Sequence, residues 1–210
     1  MTEQEQRIQV VALAKSMFDR GYATGGAGNL SVKIDDNRLL TTPTGASFGR
    51  LEPDNLSVVS MSGEHLAGNR PSKEVAFHLE LYRNRPDCNA VVHLHSTYLT
   101  ALSCLKGLDS ENVMRAFTPY YVMRVGQLPL IPYYNPGDKQ IAVSVGELAK
   151  NNSAFLLANH GPIVSGKDLL DAVDNAEELE ETAKLFFILS GQNIAYISDE
   201  NIDILKRKKP

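Results

Sequence analysis

Two histidines interrupt an apolar segment near the middle of the chain, in the stretch Val91-Val92-His93-Leu94-His95-Ser96. Residues two apart on a β-strand share a face, so both imidazoles would point to one side and could bind one ion. A third histidine, His160, ends another apolar run. Burying several imidazoles is costly unless each finds a partner, and a divalent cation would satisfy all of them. The pattern therefore predicts a metal site.

Glu74 is the carboxylate that best supplies a fourth ligand to a tetrahedral zinc site, because it is not plainly a surface residue. It follows Ser72, which we expect to cap a helix over "KEVAFHLELYRN". His78 lies one helical turn beyond Glu74 and is an alternative ligand, although its apolar neighbours favour a structural role. His65, in a polar stretch between strands, is expected to be exposed.

Two loops, "GGAGNLS" and "TPTGASFG", are rich in small residues whose free backbone amides could bind an anion. Loops of this composition are often simple turns, and neither matches a Walker or dinucleotide motif. Lys73, beside Glu74, is a cation near a predicted helix N-terminus, where positive charge is unfavourable. Two interpretations of Lys73 stay open: a lysine that faces solvent, or one that binds a second anionic group on a substrate.

The elements that must position these residues are mixed helices and strands. Apolar periodicity predicts a first helix at about 4–20, where Ile8, Val11 and Met17 are near helical spacing. Four more helices are predicted: one after Ser72, one capped by Ser96, one at 138–150 and a long one in the C-terminal segment. Strands are predicted at "LSVKI", "RLLTT", "LSVVSM", "NAVVHLH" and "SAFLLANHG". The absence of a regular βαβ repeat favours an α/β fold with antiparallel and mixed pairing. No convincing linker divides the chain, so we expect one domain over residues 1–210.

Composition excludes several functional classes. The net charge of −4 offers no basic surface for nucleic acid or anionic lipid, and no segment is apolar enough to span a membrane. Two cysteines are too few for a disulfide framework, which fits a soluble, cytoplasmic protein. The one run of like charge, residues 206–209, is expected to form a solvated tail.

Four motifs together carry a resemblance to a known family. "GNLS", "TPTG", "PSKEVAFHLELYRNRPDCNAVVHLHS" and "LLANHGPIVSG", in this order, resemble the class II aldolase/adducin family over residues 5–190. The resemblance implies a three-layer α/β/α sandwich around a mixed, largely antiparallel sheet, assembled as a homotetramer with sites near subunit interfaces. It also implies that one Zn2+ per subunit is held by Glu74, His93, His95 and His160, with Glu74 also handling protons.

The same resemblance assigns the small-residue loops to a substrate phosphate. It implicates Gly28, Asn29, Thr44, Gly45 and Ser72. Family members that cleave fuculose phosphate commonly have a second serine where this chain has Lys73. Of the two interpretations of Lys73, the second connects this departure with a substrate that has an additional anionic group.

Within the family, "PSKEV", "HLHST", "FTPYYVMRVG" and "IPYYNPGDK" are most similar to the subgroup that decarboxylates 3-oxo-tetronate 4-phosphates. The expected reaction yields CO2 and dihydroxyacetone phosphate through a metal-stabilised enediolate, which makes the protein a carbon-carbon lyase. The resemblance also implies a tyrosine that handles a proton, for which Tyr120 is favoured over Tyr121. The alternatives are an aldolase or 4-epimerase acting on fuculose or ribulose phosphate, or a non-catalytic adducin-like module.

Overall fold

The protein is described here by a computed structural model that covers residues 1–207. Its helices are α1 (Glu3–Asp19), α2 (Val75–Asn84), α3 (Thr97–Ser103), α4 (Pro119–Arg124), α5 (Lys139–Leu148), α6 (Leu169–Ile188) and α7 (Asp199–Lys206). Its strands are β1 (Asn29–Lys33), β2 (Arg38–Thr41), β3 (Ser57–Ser60), β4 (His65–Ala67), β5 (Ala90–His93), β6 (Leu130–Ile131), β7 (Ala154–Leu157) and β8 (Gly161–Gly166). Two short 3-10 turns, Phe48–Arg50 and Pro53–Asn55, lie between β2 and β3.

The strands form one eight-stranded sheet in the order β4-β3-β2-β1-β5-β8-β7-β6. Neighbouring strands are antiparallel throughout, except for the parallel pair β6 and β7. The predicted mixed, largely antiparallel sheet is therefore confirmed. Strand β5 lies between β1 and β8, so His93 at its end pairs with Asn29 at the start of β1 and with Ile163 of β8.

Alternate residues of most strands, though not of the exposed edge strand β4, enter two separate apolar cores, one on each face of the sheet. On β5, Val92 packs with the core formed by α1, α3, α4 and α6, whereas Val91 packs with the core formed by α2 and α5. Strand geometry explains this division, because successive side chains point to opposite faces. The helices on both faces make the three-layer α/β/α sandwich expected from the sequence.

Most predicted elements are confirmed, but their details differ. The buried positions of α1 are Val10, Ala14 and Met17, whereas Ile8 is 54% exposed. The strand β8 and the short helices α4 and α7 were not predicted, since "GPIVSG" begins with Gly-Pro and the two helices are only a few residues long. The strand that carries His93 also ends there, so His95 lies just beyond it.

The two predicted serine caps differ from the structure: Ser72 does not directly precede α2, and Ser96 does precede α3 but does not cap it with its hydroxyl. Helix α2 begins at Val75, and Ser72 instead accepts a hydrogen bond from the Glu74 amide at 3.2 Å in the turn before the helix. Because α2 begins at Val75, Glu74 is the residue that immediately precedes the helix. Ser96 precedes α3, but its hydroxyl donates to the Glu180 carboxylate at 2.7 Å and caps no amide of the helix.

Glu180 of α6 supplies the side-chain cap of α3 that the sequence predicts for Ser96. Its buried carboxylate accepts hydrogen bonds from the Tyr98 amide at 2.7 Å and the Leu99 amide at 2.9 Å. These amides are among the first of α3 and have no partner within the helix. Glu180 therefore fixes the start of α3, directly after His95, to the long helix α6.

No helix among residues 1–207 is long and apolar enough to cross a membrane. Of the basic run expected to form a solvated tail, Lys206 is the last residue of α7. Lys208 and Lys209 lie outside the described residues.

Replacing Glu180 by alanine removes the acceptor for two amides of α3, and each buried amide left unpaired costs about 1–3 kcal/mol. We expect Glu180→Ala to lower the free energy of unfolding, measured by urea denaturation, by about 2–4 kcal/mol. Glu181→Ala is the matched control, because Glu181 forms only a surface ion pair with Lys184 at 3.3 Å and such pairs contribute about 1 kcal/mol or less. Equal stability of the two variants would contradict the capping role.

Candidate metal centre

Three histidines converge at one end of the sheet. His93 is the last residue of β5, His95 lies two residues further along, and His160 lies in the tight turn between β7 and β8. Because β8 pairs with β5, the turn that precedes β8 lies beside the end of β5. The ring centroids are 4.7–5.0 Å apart, and one nitrogen of each ring lies within 4.8 Å of the others. This is the spacing of ligands around one ion.

Glu74 brings a carboxylate to the same point from the start of α2. Its Oε2 lies 3.5 Å from His93 Nε2, and its Oε1 lies 3.4 Å from His160 Nε2. The side chain of Glu74 is 13% exposed, and that of His93 is fully buried. The structure therefore brings together all four residues that the sequence predicted as ligands.

Backbone contacts orient the first of these imidazoles. The Nδ1 of His93 lies 2.8 Å from the Pro162 carbonyl oxygen, which can only accept, so Nδ1 carries the proton. The lone pair of His93 is then on Nε2, which faces His95 Nε2 at 3.2 Å. A histidine that binds a metal through one ring nitrogen usually donates a hydrogen bond from the other, and that contact fixes its tautomer.

The electrostatic environment keeps the imidazoles neutral. Burial lowers the pKa of His93 well below its ordinary value, and it also lowers the pKa values of His95 and His160. A neutral imidazole offers a lone pair, which is the form that binds a metal. Three neutral nitrogens and one carboxylate fit a divalent cation such as Zn2+, Mn2+ or Co2+.

A cavity of about 260 Å3 opens beside this cluster. It is bounded by the two small-residue loops, the turn before α2 and the turn at Pro136 and Gly137. All six residues predicted to bind substrate anions line it, together with Glu74 and His95: Gly28, Asn29, Thr44, Gly45, Ser72 and Lys73. A substrate anion in this cavity would therefore lie next to the candidate ligands.

Two glycines allow the backbone segments of the centre to approach each other. Gly28 has a φ of +83°, and a β-carbon there would lie 2.8 Å from the His93 carbonyl oxygen. At Gly161, directly after His160, a β-carbon would collide with the Leu94 carbonyl oxygen. Any larger residue at either position would push a ligand-bearing segment away from the centre.

Asn29 differs from the expected arrangement of an anion-binding side chain. Its Nδ2 donates to Glu74 Oε2 at 2.7 Å, and its Oδ1 accepts from His78 Nε2 at 2.6 Å. His78 is buried and is not among the three clustered imidazoles, in agreement with the structural role favoured from the sequence. His65 is exposed on β4, as expected.

The two candidate tyrosines have opposite environments. Tyr121 is fully buried, and burial raises the pKa of its hydroxyl. This hydroxyl donates to Asn112 Oδ1 at 3.1 Å and lies 3.3 Å from the Met114 carbonyl oxygen. Tyr120 is 59% exposed on α4 and does not line the cavity beside Glu74. Within one chain, neither tyrosine is brought to the metal centre.

Sequence reasoning missed three contributors to the site. The Asn135-Pro136-Gly137-Asp138 turn was predicted, but no local signal shows that it borders the cavity. The Pro162 carbonyl and the Asn29–His78 contact were also missed. The one available signal was the position of His78, one helical turn from Glu74 on an otherwise apolar face.

A family model, "Class II Aldolase and Adducin N-terminal domain", matches residues 8–187. The chain is 57% identical over 208 residues to 3-oxo-tetronate 4-phosphate decarboxylase of Haemophilus influenzae, covering 99% of both proteins. It is 33% identical over 182 residues to L-fuculose phosphate aldolase of Methanococcus maripaludis, covering 87% of this chain and 96% of that one.

The fold is also similar to a solved structure. The crystal structure of YgbL from Escherichia coli superimposes with a TM-score of 0.95 at 59% sequence identity. The match covers 97% of this chain and 99% of the YgbL chain. The similarity therefore extends over the whole sheet and the helices on both of its faces.

The buried histidines make the stability of the metal-free protein depend on pH. Burial lowers the pKa of His78 to about 3, below the value of about 6.5 expected in the unfolded chain. Below pH 6.5 the unfolded chain binds more protons, so stability that is present above this pH is lost as the pH falls. We expect urea denaturation to show a lower free energy of unfolding at pH 5 than at pH 7.

Substituting His78 by glutamine removes one of the groups that titrates on unfolding. His78→Gln should reduce the loss of stability between pH 7 and pH 5 by about 2 kcal/mol, which is about 1.4 kcal/mol for each pH unit below 6.5. His65→Gln is the matched control, because the His65 ring lies outside the core. If both variants keep the pH dependence of the parent protein, His78 does not titrate as a buried group.

Proposed function

Because the chain belongs to the class II aldolase/adducin family, we propose that it is a metal-dependent lyase that removes CO2 from a 3-oxo-tetronate 4-phosphate. The observation that carries the proposal is the convergence of four metal-binding side chains beside a cavity lined by loop amides and Lys73. The identity of 57% over nearly the full length of a decarboxylase of this type supports the choice of reaction. The protein is accordingly a carbon-carbon lyase.

The metal in this proposal is one Zn2+ per chain, held by His93, His95, His160 and Glu74. The support is the donor set, because three imidazole nitrogens and one carboxylate are typical zinc ligands. When bound, the cation supplies positive charge that lowers the energy of the negative oxygen formed from the C3 carbonyl. The remaining functions fall to the residues of the chain.

Decarboxylation of this substrate is a β-keto acid reaction. The bond between C1 and C2 breaks, C1 leaves as CO2, and the electron pair moves to C2 and the C3 oxygen. A proton delivered to C2 then gives dihydroxyacetone phosphate. The chain must therefore bind two anionic groups, accept the developing charge at the C3 oxygen and supply one proton.

The cavity residues account for substrate binding. The loops with Gly28, Thr44 and Gly45, together with Ser72, offer amides and hydroxyls to the phosphate. Lys73 lies in the same cavity and pairs with the C1 carboxylate, orienting it for departure. Asn29 contacts the substrate only through the part of its amide that Glu74 and His78 leave free.

Glu74 and Tyr120 handle protons in this proposal. The Glu74 carboxylate lies beside two of the candidate ligand imidazoles. It would hold the metal in the free protein and would transfer protons once substrate has taken its place. Tyr120 is exposed and does not line the cavity of its own chain, so in this proposal it delivers its proton to the centre of another chain. This role requires the homotetramer implied by the family resemblance, which we place in the cytoplasm.

The alternative is an aldolase or 4-epimerase acting on a sugar phosphate. The same centre would stabilise the same negative oxygen after loss of an aldehyde, and the 33% identity to L-fuculose phosphate aldolase favours this as the second candidate. The presence of Lys73 favours the decarboxylase, since only a substrate with a carboxylate gives this ammonium an anionic partner in addition to the phosphate that the loops bind. A non-catalytic adducin-like module would not require the four converging ligands.

The proposed reaction is tested with Zn2+-loaded protein and both C2 stereoisomers of 3-oxo-tetronate 4-phosphate. We expect release of CO2 and dihydroxyacetone phosphate in equal amounts, loss of activity after chelation, and recovery after zinc is restored. His95→Ala should abolish both zinc binding and turnover, whereas His65→Ala, at an exposed position, should retain both. Turnover of fuculose phosphate by the loaded protein, without turnover of either stereoisomer, would contradict the decarboxylase.

Lys73→Ser tests the assignment of the carboxylate. Loss of a charge-assisted contact of about 1.5–3 kcal/mol should lower kcat/KM for the keto acid by roughly 10–100-fold. Inhibition by dihydroxyacetone phosphate should be unchanged, because this product has the phosphate but no carboxylate. Lys150→Ser, at an exposed position away from the cavity, is the matched control. An equal loss of affinity for the product would mean that Lys73 binds the phosphate instead.

A further inference from the structure

A buried chain of hydrogen bonds leads from Glu74 into the core between the sheet and α2. Glu74 Oε2 accepts from Asn29 Nδ2 at 2.7 Å, and Asn29 Oδ1 lies 2.6 Å from His78 Nε2. The chain continues from His78 Nδ1 to Ser31 Oγ at 2.7 Å and from Ser31 Oγ to Tyr82 OH at 2.8 Å. Beyond Glu74 all of these side chains are buried.

The direction of each hydrogen bond in this chain follows from the contact of Asn29 Nδ2 with Glu74 Oε2. A carboxylate only accepts, so Asn29 must present its NH2 group to Glu74 and its oxygen to His78. His78 must then carry its proton on Nε2, which leaves Nδ1 as an acceptor for the Ser31 hydroxyl. Ser31 in turn accepts from Tyr82. The four contacts are consistent with only one tautomer of His78.

The opposite tautomer would disturb the metal centre. With its proton on Nδ1, His78 would need a donor at Nε2, and Asn29 could supply one only by turning its amide over. That rotation would place Asn29 Oδ1 against Glu74 Oε2, where two oxygens without a proton repel each other. The state of His78 and the orientation of the Glu74 carboxylate are therefore linked through Asn29.

Packing fixes the position of the His78 ring, and hydrogen bonds occupy both of its nitrogens. Its ring stacks on Phe77 with a centroid distance of 4.9 Å, and its partners Ser31 and Tyr82 come from β1 and from the following turn of α2. An apolar residue at this position could occupy the same volume, but it would leave the buried Asn29 Oδ1 without a donor and the Ser31 hydroxyl without an acceptor. The pairing of both ring nitrogens with oriented partners points to a role beyond filling the core.

We infer that His78 is a positioning residue for Glu74, acting through Asn29 from a distance of two hydrogen bonds. This inference rests on the proposed function insofar as it concerns turnover, but its effect on metal binding does not depend on the substrate. Removing the Nε2 donor frees Asn29 to rotate and leaves the Glu74 carboxylate without a fixed orientation.

The first test observes the tautomer directly. Long-range 1H–15N NMR spectra of the protein labelled at histidine should show the His78 ring as neutral, with its proton on Nε2. This signal should be absent from His78→Gln, which assigns it. A proton on Nδ1, or a protonated ring at neutral pH, would overturn the inference whether or not the protein is a decarboxylase.

The second test compares variants with and without a donor at the Nε2 position. His78→Leu has no donor, and we expect zinc affinity and kcat to fall by roughly 10–100-fold, the usual effect of losing a partner of a metal ligand, with little change in KM. His78→Gln can place an amide N–H near the Nε2 position and should restore both values to within about threefold of the parent protein. Equal zinc affinity of His78→Leu and the parent protein would overturn the inference.

A replacement variant covers the case that His78→Leu does not fold, and the parent protein's activity separates this inference from the proposed reaction. If His78→Leu does not fold, His78→Met replaces it, because this longer and more flexible apolar side chain also lacks a donor at the Nε2 position and should show the same loss of zinc affinity. Equal zinc affinity of His78→Met and the parent protein would overturn the inference. A parent protein that lacks decarboxylase activity but shows the expected tautomer and affinity changes would refute the proposed reaction alone.

Discussion

The structure depends on one constraint: three neutral imidazoles and one carboxylate, carried by separate segments, must meet in a largely buried volume. His93 Nε2 lies 3.2 Å from His95 Nε2 and 3.5 Å from the Glu74 carboxylate. Such an arrangement loses the hydration of four polar groups, and a divalent cation is the partner that compensates all of them together. The proposed lyase chemistry uses the same positive charge, because the reaction places a negative charge on a substrate oxygen.

Backbone contacts around α3 hold the two histidine-bearing segments beside each other. Glu180 fixes the start of α3 immediately after His95. Further along α3, the Ser103 carbonyl accepts from the Asn159 amide at 3.0 Å, which secures the turn that carries His160. The helix therefore connects two ligands that are distant in sequence, and a rigid helix is well suited to keep their separation constant.

The sequence was informative where a local pattern was sufficient. The apolar periodicity of α2 and α6 and the strand that carries His93 were predicted, since each depends on residues within one segment. The four candidate ligands were also found, because histidines in apolar segments are rare and the family resemblance assigns Glu74. Their convergence in space supports this set.

Features that depend on long-range contacts were not predictable in the same way. Glu180 takes the place of Ser96 as a cap because α6 packs against α3, and the positions of these residues differ by 84 in sequence. The chain from Glu74 through Asn29 to His78 depends likewise on the pairing of β1 with β5 and on the packing of α2 against the sheet. No pattern within one segment indicates such contacts.

X-ray absorption spectroscopy at the zinc edge tests the central claim most directly. Protein loaded with one equivalent of Zn2+ should show a first shell of nitrogen and oxygen atoms at about 2.0–2.2 Å, with the outer-shell scattering of three imidazole rings. His160→Ala should remove the contribution of one ring. A first shell containing sulfur, or a spectrum with fewer than three imidazoles in the parent protein, would contradict the account.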